Sequence, residues 1–152
     1  MPFLQQLILC SLFFVAAQAN NNKILIKSDR EEVIEVVKIS YANGAFNKLD
    51  TDAMKKGFHR EFAIFTPDGE EIKKYPIKNW INNTTKNKRS AKFDADKYKY
   101  DYKLDRVEVT GQAAAVTLLY SRDGKMVYTD YLLLSKFDSG WKIVAKVYHR
   151  HK

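Results

Sequence analysis

Three side chains in this sequence join a titratable group to a pattern that could seat it in a pocket: His149, Asp130 and His59. Imidazole titrates near neutrality, so it can move a proton or hydrogen-bond a ligand, and a carboxylate beside it orients and polarises the ring. Along the last predicted strand Trp141, Ile143, Ala145, Val147 and His149 share one face, while Lys142, Lys146 and Arg150 share the other. The apolar set is read as inward, which brings His149 to the concave side near the rim. Asp130 is its natural partner, and the turn at Asp138-Ser139-Gly140 decides whether the two meet. A two-residue turn pairing Asp138 with Trp141 sets Asp130 opposite His149. A three-residue loop with a glycine bulge pairs Phe137 with Trp141, sets Thr129 opposite His149 and turns Tyr131 inward. A one-residue slip exchanges the faces, and both registers stay open.

A second kind of chemistry is flat-walled recognition. Trp80 with Tyr98, Tyr100, Tyr102 and Tyr120 can supply ring faces and phenol hydrogen bonds to a planar ligand, joined by Tyr41 on the first helix and by Tyr131 in the second register. The same stripe serves equally well as core. No glycine-rich phosphate loop is present, and the three histidines lack metal-ligand spacing, so no metal and no cofactor is expected. Asn82-Asn83-Thr84-Thr85 contains overlapping N-glycosylation sequons, meaningful in a eukaryotic secretory pathway.

The elements that must position these residues belong to one domain. The chain has 152 residues, 45% of them apolar, with nine Tyr, nine Phe and two Trp, enough for a single packed core. Leu7 to Ala17 is apolar apart from Ser11, the length of a signal-peptide core and too short to span a bilayer. Ala17-Gln18-Ala19 completes a cleavage pattern, although Met1 to Gln6 carries no cation. The expectation is a signal peptide over 1–19, a tail over 20–27 and one domain over 28–152, exported to the periplasm or secreted, with no stable membrane insertion after cleavage. Cys10, the sole cysteine, lies in the leader, so the mature chain has no disulfide framework. The net charge of +8 could attract nucleic acid. Its lysines, however, alternate with apolar residues and with Asp94, Asp96, Asp101 and Asp105 as a solvated strand face does, and no nucleic-acid partner is expected.

Ser28-Asp29-Arg30-Glu31 reads as a capping box, and Val33, Ile34, Val37, Tyr41 and Ala45 continue as one apolar helical stripe to about Phe46. Asp50 caps a short second helix ending at Gly57, where glycine suits a left-handed residue. Ala63 to Phe65 and Glu71 to Tyr75 flank the turn Pro67-Asp68-Gly69 as a hairpin, and Pro76 opens a third helix bearing Ile77, Trp80 and Ile81. Asn87-Lys88-Arg89-Ser90 reads as loop. From Lys97 the period becomes two, with turns at Thr110-Gly111, Asp123-Gly124 and Ser139-Gly140, so the C-terminal part is an antiparallel meander. Helices first and strands last argue for an α+β fold.

The run Tyr41 to Asp50, then Phe58-His59-Arg60-Glu61-Phe62, and above all Thr129 to Leu134 with Gly140-Trp141-Lys142-Ile143-Val144, resembles the nuclear-transport-factor-2-like superfamily, in its lumazine-binding-like and polyketide-cyclase-like (SnoaL-like) branches. The resemblance spans roughly Ser28 to His149. It implies a curved, mixed-edge antiparallel sheet wrapped into a cone, three N-terminal helices closing one side, a pocket at the open end and a homodimer through the outer sheet face. It also puts His59 where the second helix meets the sheet, close to the pocket. Members include isomerases, epoxide hydrolases and cyclases as well as binding domains, so fold leaves function open. The leading expectation is a non-catalytic domain holding a small apolar or aromatic ligand in the cone. The alternatives are a proton-transfer enzyme using His149 or His59 with Asp130, and a structural interaction domain whose cone is filled by its own aromatics.

Overall fold

In a computed structural model, which describes residues 27–91, 93, 94, 96 and 99–152, Ser28 opens the first helix by the expected capping box. Its hydroxyl accepts from the Glu31 amide at 3.3 Å, while the Glu31 carboxylate accepts from the Ser28 amide at 2.8 Å. Ser28→Ala removes one half of this exchange and is expected to lower stability by about 1 kcal/mol, read from the urea midpoint. The leader with Cys10, and Tyr98, lie outside the described residues.

Helix α1 (Asp29–Val36) runs without a break into a wider π-helical stretch, Val37–Asn47, closed by the Lys48 amide donating to the Asn43 carbonyl at 2.7 Å. Val33, Val37, Tyr41 and Ala45 are buried along it, the stripe that the spacing predicts. Asp50 caps α2 (Thr51–Gly57) through the amides of Asp52 and Ala53. Gly57 closes α2 as expected, but for a different reason. Its φ is not positive, and a Cβ there would lie 2.2 Å from the Ser40 Cβ, so close helix approach requires the glycine.

Strand β1 (Phe58–Asp68) begins five residues before the expected Ala63, because Phe58 pairs with Ile143 on the last strand; it turns at Gly69 (φ 64°) into β2 (Glu71–Pro76). Helix α3 (Ile77–Arg89) follows, with Pro76 just outside its first turn, and it extends through Asn87, Lys88 and Arg89, which the sequence suggests as loop. Cations at its C-terminal end, Lys86, Lys88 and Arg89, complement the helix dipole there and favour that extra turn.

The meander comprises β3 (Asp101–Thr110), β4 (Ala113–Arg122), β5 (Lys125–Phe137) and β6 (Gly140–Arg150). The six strands form one sheet in the order β2-β1-β6-β5-β4-β3, antiparallel except where β1 lies parallel to β6. Asp123 and Gly124, both at positive φ (52° and 73°), make the two-residue turn between β4 and β5. The core, centred on Tyr41, Phe62, Met54, Leu118, Tyr120, Leu132 and Ile143, lies between the helices and the concave side of the sheet.

The turn between β5 and β6 follows neither expected register. Asp138 and Ser139 form it, Phe137 pairs with Gly140 (φ 94°), and Lys136 pairs with Trp141. Three residues further along, Leu134 pairs with Ile143 but Leu133 pairs with Ala145, leaving Val144 as the extra residue of a β-bulge. Beyond the bulge Thr129 pairs with His149, as one open register has it, but the faces are exchanged. Trp141 and Ile143 point inward, then Lys146 points inward, while Val147 and His149 are exposed.

Candidate functional site

The bulge at Val144 carries Lys146 to the concave side, where its side chain is only 5% exposed. A buried ammonium must find a counter-charge, and Asp130, wholly buried on β5, supplies it with Oδ2 at 3.0 Å from Lys146 Nζ. The same Oδ2 accepts from the Tyr41 hydroxyl at 2.6 Å, so a tyrosine from the π-helical stretch, an aspartate from β5 and a lysine from β6 meet at one atom. Aromatic faces surround the ammonium: its Nζ lies 4.7 Å from the ring centre of Tyr148, 5.2 Å from Tyr41, 5.3 Å from Phe46 and 5.8 Å from Trp80. Ring quadrupoles at such distances favour the cation.

Burial pushes the Lys146 ammonium below the ordinary lysine range, and the Asp130 carboxylate pulls it part of the way back. Burial, reinforced by the Asp130 charge, pushes the phenols of Tyr41 and Tyr120 well above 10. Tyr120 differs from Tyr41 in one respect, since among the described residues its buried hydroxyl has no hydrogen-bond partner, nor has the other Asp130 oxygen, Oδ1.

Above the ammonium a cavity of about 430 Å³ opens to the rim, lined by Phe46, Ile64, Thr66, Lys73, Tyr75, Trp80, Tyr128, Lys146 and Tyr148. Two hollows elsewhere are slightly larger. One, about 520 Å³, is lined by charged residues, Asp96, Lys99, Asp101, Arg122 and Asp123. The other, about 470 Å³, lies between α1 and the β5–β6 turn and includes Ser139, Gly140 and Trp141. The Lys146 cavity joins aromatic walls to a buried charged group, the composition of a small-molecule site. The deep interior of the cone is filled instead. Phe46 stacks on Tyr120 with ring centres 4.7 Å apart, and Tyr41 packs against Phe58, Trp80 and Tyr120.

The model of the family described as "Putative lumazine-binding" matches residues 28–149. The chain belongs to that family. Solved structures support the same fold for this family member. A nuclear-transport-factor-2-like protein of unknown function from Shewanella baltica is 22% identical, with 80% of this chain and 93% of that chain covered and a TM-score of 0.60. A similar protein of unknown function from Silicibacter pomeroyi is 18% identical, covering 80% and 94%, with a TM-score of 0.60. A domain of unknown function with a cystatin-like fold from Nostoc punctiforme is 16% identical, covering 84% and 80%, with a TM-score of 0.58. No curated protein matches the chain.

In this lumazine-binding-family domain the residues singled out by sequence fall into four groups. Tyr41, Asp130 and Trp80 converge around Lys146, and Tyr120 packs behind them on Tyr41, though Tyr41 and Tyr120 are core rather than cavity wall. Tyr100 and Tyr102 pack against Tyr120, and the Arg122 guanidinium lies 4.0 Å from the Tyr100 ring centre. Tyr131 and His149 are on the far side of the sheet, opposite Val147 and Thr129 respectively, because the bulge reverses the alternation assumed for β6. An Asp130–His149 pair is therefore not formed; Asp130 lies opposite Tyr148. His59 stacks on Phe137 at 4.8 Å and lines a separate hollow with Lys55, Arg60 and Lys78. Among the described residues no group of three or more His, Cys, Asp or Glu could hold a metal ion.

Of the cavity's lining only Trp80 was singled out by sequence; Lys146, Tyr148, Tyr128, Phe46, Tyr75, Lys73, Ile64 and Thr66 were missed. One signal pointed toward Lys146: Asp130, embedded among Tyr131, Leu132, Leu133 and Leu134, needs a buried cation, and the cations on the neighbouring strand are Lys142, Lys146 and Arg150.

The family domain's tyrosines also set its behaviour in alkali. Tyr120 has a folded-state pKa above its unfolded value, so the stability linked to it is complete below pH 10 and is lost as pH climbs toward the folded value. Tyr120→Phe removes a buried hydroxyl that makes no hydrogen bond, so the variant is expected to be at least as stable as wild type at pH 8. Its advantage should widen above pH 10, as shown by urea midpoints across that range.

Proposed function

We propose that this domain binds a small aromatic or apolar molecule without transforming it, in the cavity above Lys146. The observation that carries this reading is the aromatic lining of that cavity over a buried ammonium–carboxylate pair. The proton-transfer alternative loses support because its acid–base pair is separated: Asp130 is bound to Lys146 and Tyr41, while His149 faces the other side of the sheet. The filled deep cone favours an internal packing role for Tyr41 and Tyr120, and it confines the binding reading to the rim.

Calorimetric titration with 2-naphthol, a neutral planar probe, tests the proposal. Saturable one-to-one binding is expected, weakened about tenfold by Trp80→Ala through loss of one ring wall. Failure of the wild-type protein to saturate would contradict it.

The outer sheet face supports a homodimer. Tyr131, Leu133 and Val147 are each about half exposed there. Cross-strand pairing places Tyr131 between Thr117 and Val147, and Leu133 between Ala115 and Ala145, which makes a continuous patch. A second copy of the same patch covers it by two-fold symmetry. Sedimentation should give a dimer for wild type and a monomer for Tyr131→Glu/Leu133→Glu; a monomeric wild type would end this reading. Export to the periplasm or medium rests on the apolar stretch before Ala19, and N-terminal sequencing of protein from its own host should begin at Asn20.

A further inference from the structure

Among the described residues the cavity's wall carries two ammonium groups, Lys73 and Lys146, and no carboxylate; the Asp130 carboxylate is wholly buried behind it. Lys146 has three N–H donors, and among the described residues Asp130 Oδ2 is its one acceptor. A side chain only 5% exposed thus has donor capacity left over, at the floor of an aromatic cleft. The rings of Tyr148, Phe46 and Trp80 flank that floor, Phe46 and Trp80 meeting edge to face at 5.9 Å, and offer aromatic surface to a planar group.

We infer that the ligand is a planar aromatic acid, its carboxylate or an equivalent anionic oxygen accepting from Lys146 Nζ and its ring held among Phe46, Trp80 and Tyr148. This rests on the binding reading above and narrows it. A charge-assisted hydrogen bond inside a desolvated cleft discriminates strongly between an anion and a neutral molecule of the same shape. Lys73, on exposed β2 at the rim, adds attraction at a distance that salt screens.

The test compares 2-naphthoate with 2-naphthamide, alike in shape and different in charge, by calorimetric titration of the full mature chain. Naphthoate should bind at least about tenfold more tightly than the amide. Lys146→Met should abolish that preference while amide affinity changes little. Since this variant strands a buried carboxylate, Asp130→Asn/Lys146→Met, which removes both charges, is measured beside it. Equal affinity of acid and amide for wild type would overturn the inference and leave the binding reading standing. A preference persisting in the double variant would overturn the role of Lys146, and binding of neither probe would overturn both.

Discussion

Asp130→Ala is expected to lower stability by about 3–5 kcal/mol, the largest loss of any single polar substitution in the molecule. The change leaves the Lys146 ammonium, 5% exposed, without its counter-ion, and it takes from the Tyr41 hydroxyl its acceptor at 2.6 Å. Tyr41 is fully buried and cannot turn to solvent, and Lys146, hemmed by four rings, meets the open cavity only through the 5% of its side chain that is exposed. Asp130→Leu/Lys146→Met removes both charges together and should recover most of the loss, because a buried pair contributes little net stability against an apolar replacement. Urea unfolding of Asp130→Leu, Lys146→Met and the double variant closes the cycle. A small cost for Asp130→Ala would mean that the ammonium finds water or another partner.

Gly57→Ala is the second large effect, expected at about 3 kcal/mol. The added methyl would stand 2.1 Å from Ser40 Oγ and 2.2 Å from Ser40 Cβ, well inside contact distance. Both residues are buried, Ser40 on the π-helical stretch that carries Tyr41 and Gly57 at the junction of α2 with β1. Separating these elements also disturbs the aromatic contacts that Tyr41 makes with Phe58. Ser40→Gly on the Gly57→Ala background should restore much of the loss, whereas Ser40→Ala, which keeps the Cβ, should not. Thermal denaturation of the set distinguishes a steric origin from a change in helix propensity.

The fold was largely legible. The capping box at Ser28, the Asp50 cap and the Asp123-Gly124 hairpin are local devices whose chemistry is complete within a few residues, and each forms as read, whereas the first hairpin turns one step later than read, at Gly69-Glu70, with Pro67 and Asp68 paired to Ile72 and Glu71. The site was not, and the reason is one residue. Strand alternation carries a face assignment forward only while pairing stays in step, and Val144 breaks step without a glycine or proline to announce it. Everything after it exchanges sides, so His149 and Lys146 trade places relative to the reading. The α3 extension through Arg89 was hidden for a related reason, since Asn87-Lys88-Arg89 is polar enough for a loop while its cations suit a helix end equally well. Gly57 shows the limit from another direction: the residue type signals a special backbone position or a close approach, and only the packing of Ser40 distinguishes them.

Two-dimensional NMR of the protein titrated with 2-naphthoate tests the central claim most directly, because it reports position and binding together. The account predicts saturable shifts concentrated at Thr66, the Trp80 indole, Tyr128, Lys146 and Tyr148, with His149 and Tyr131 on the opposite face unmoved. Shifts centred on His149, or spread over the outer face with Trp80 and Lys146 silent, would contradict it.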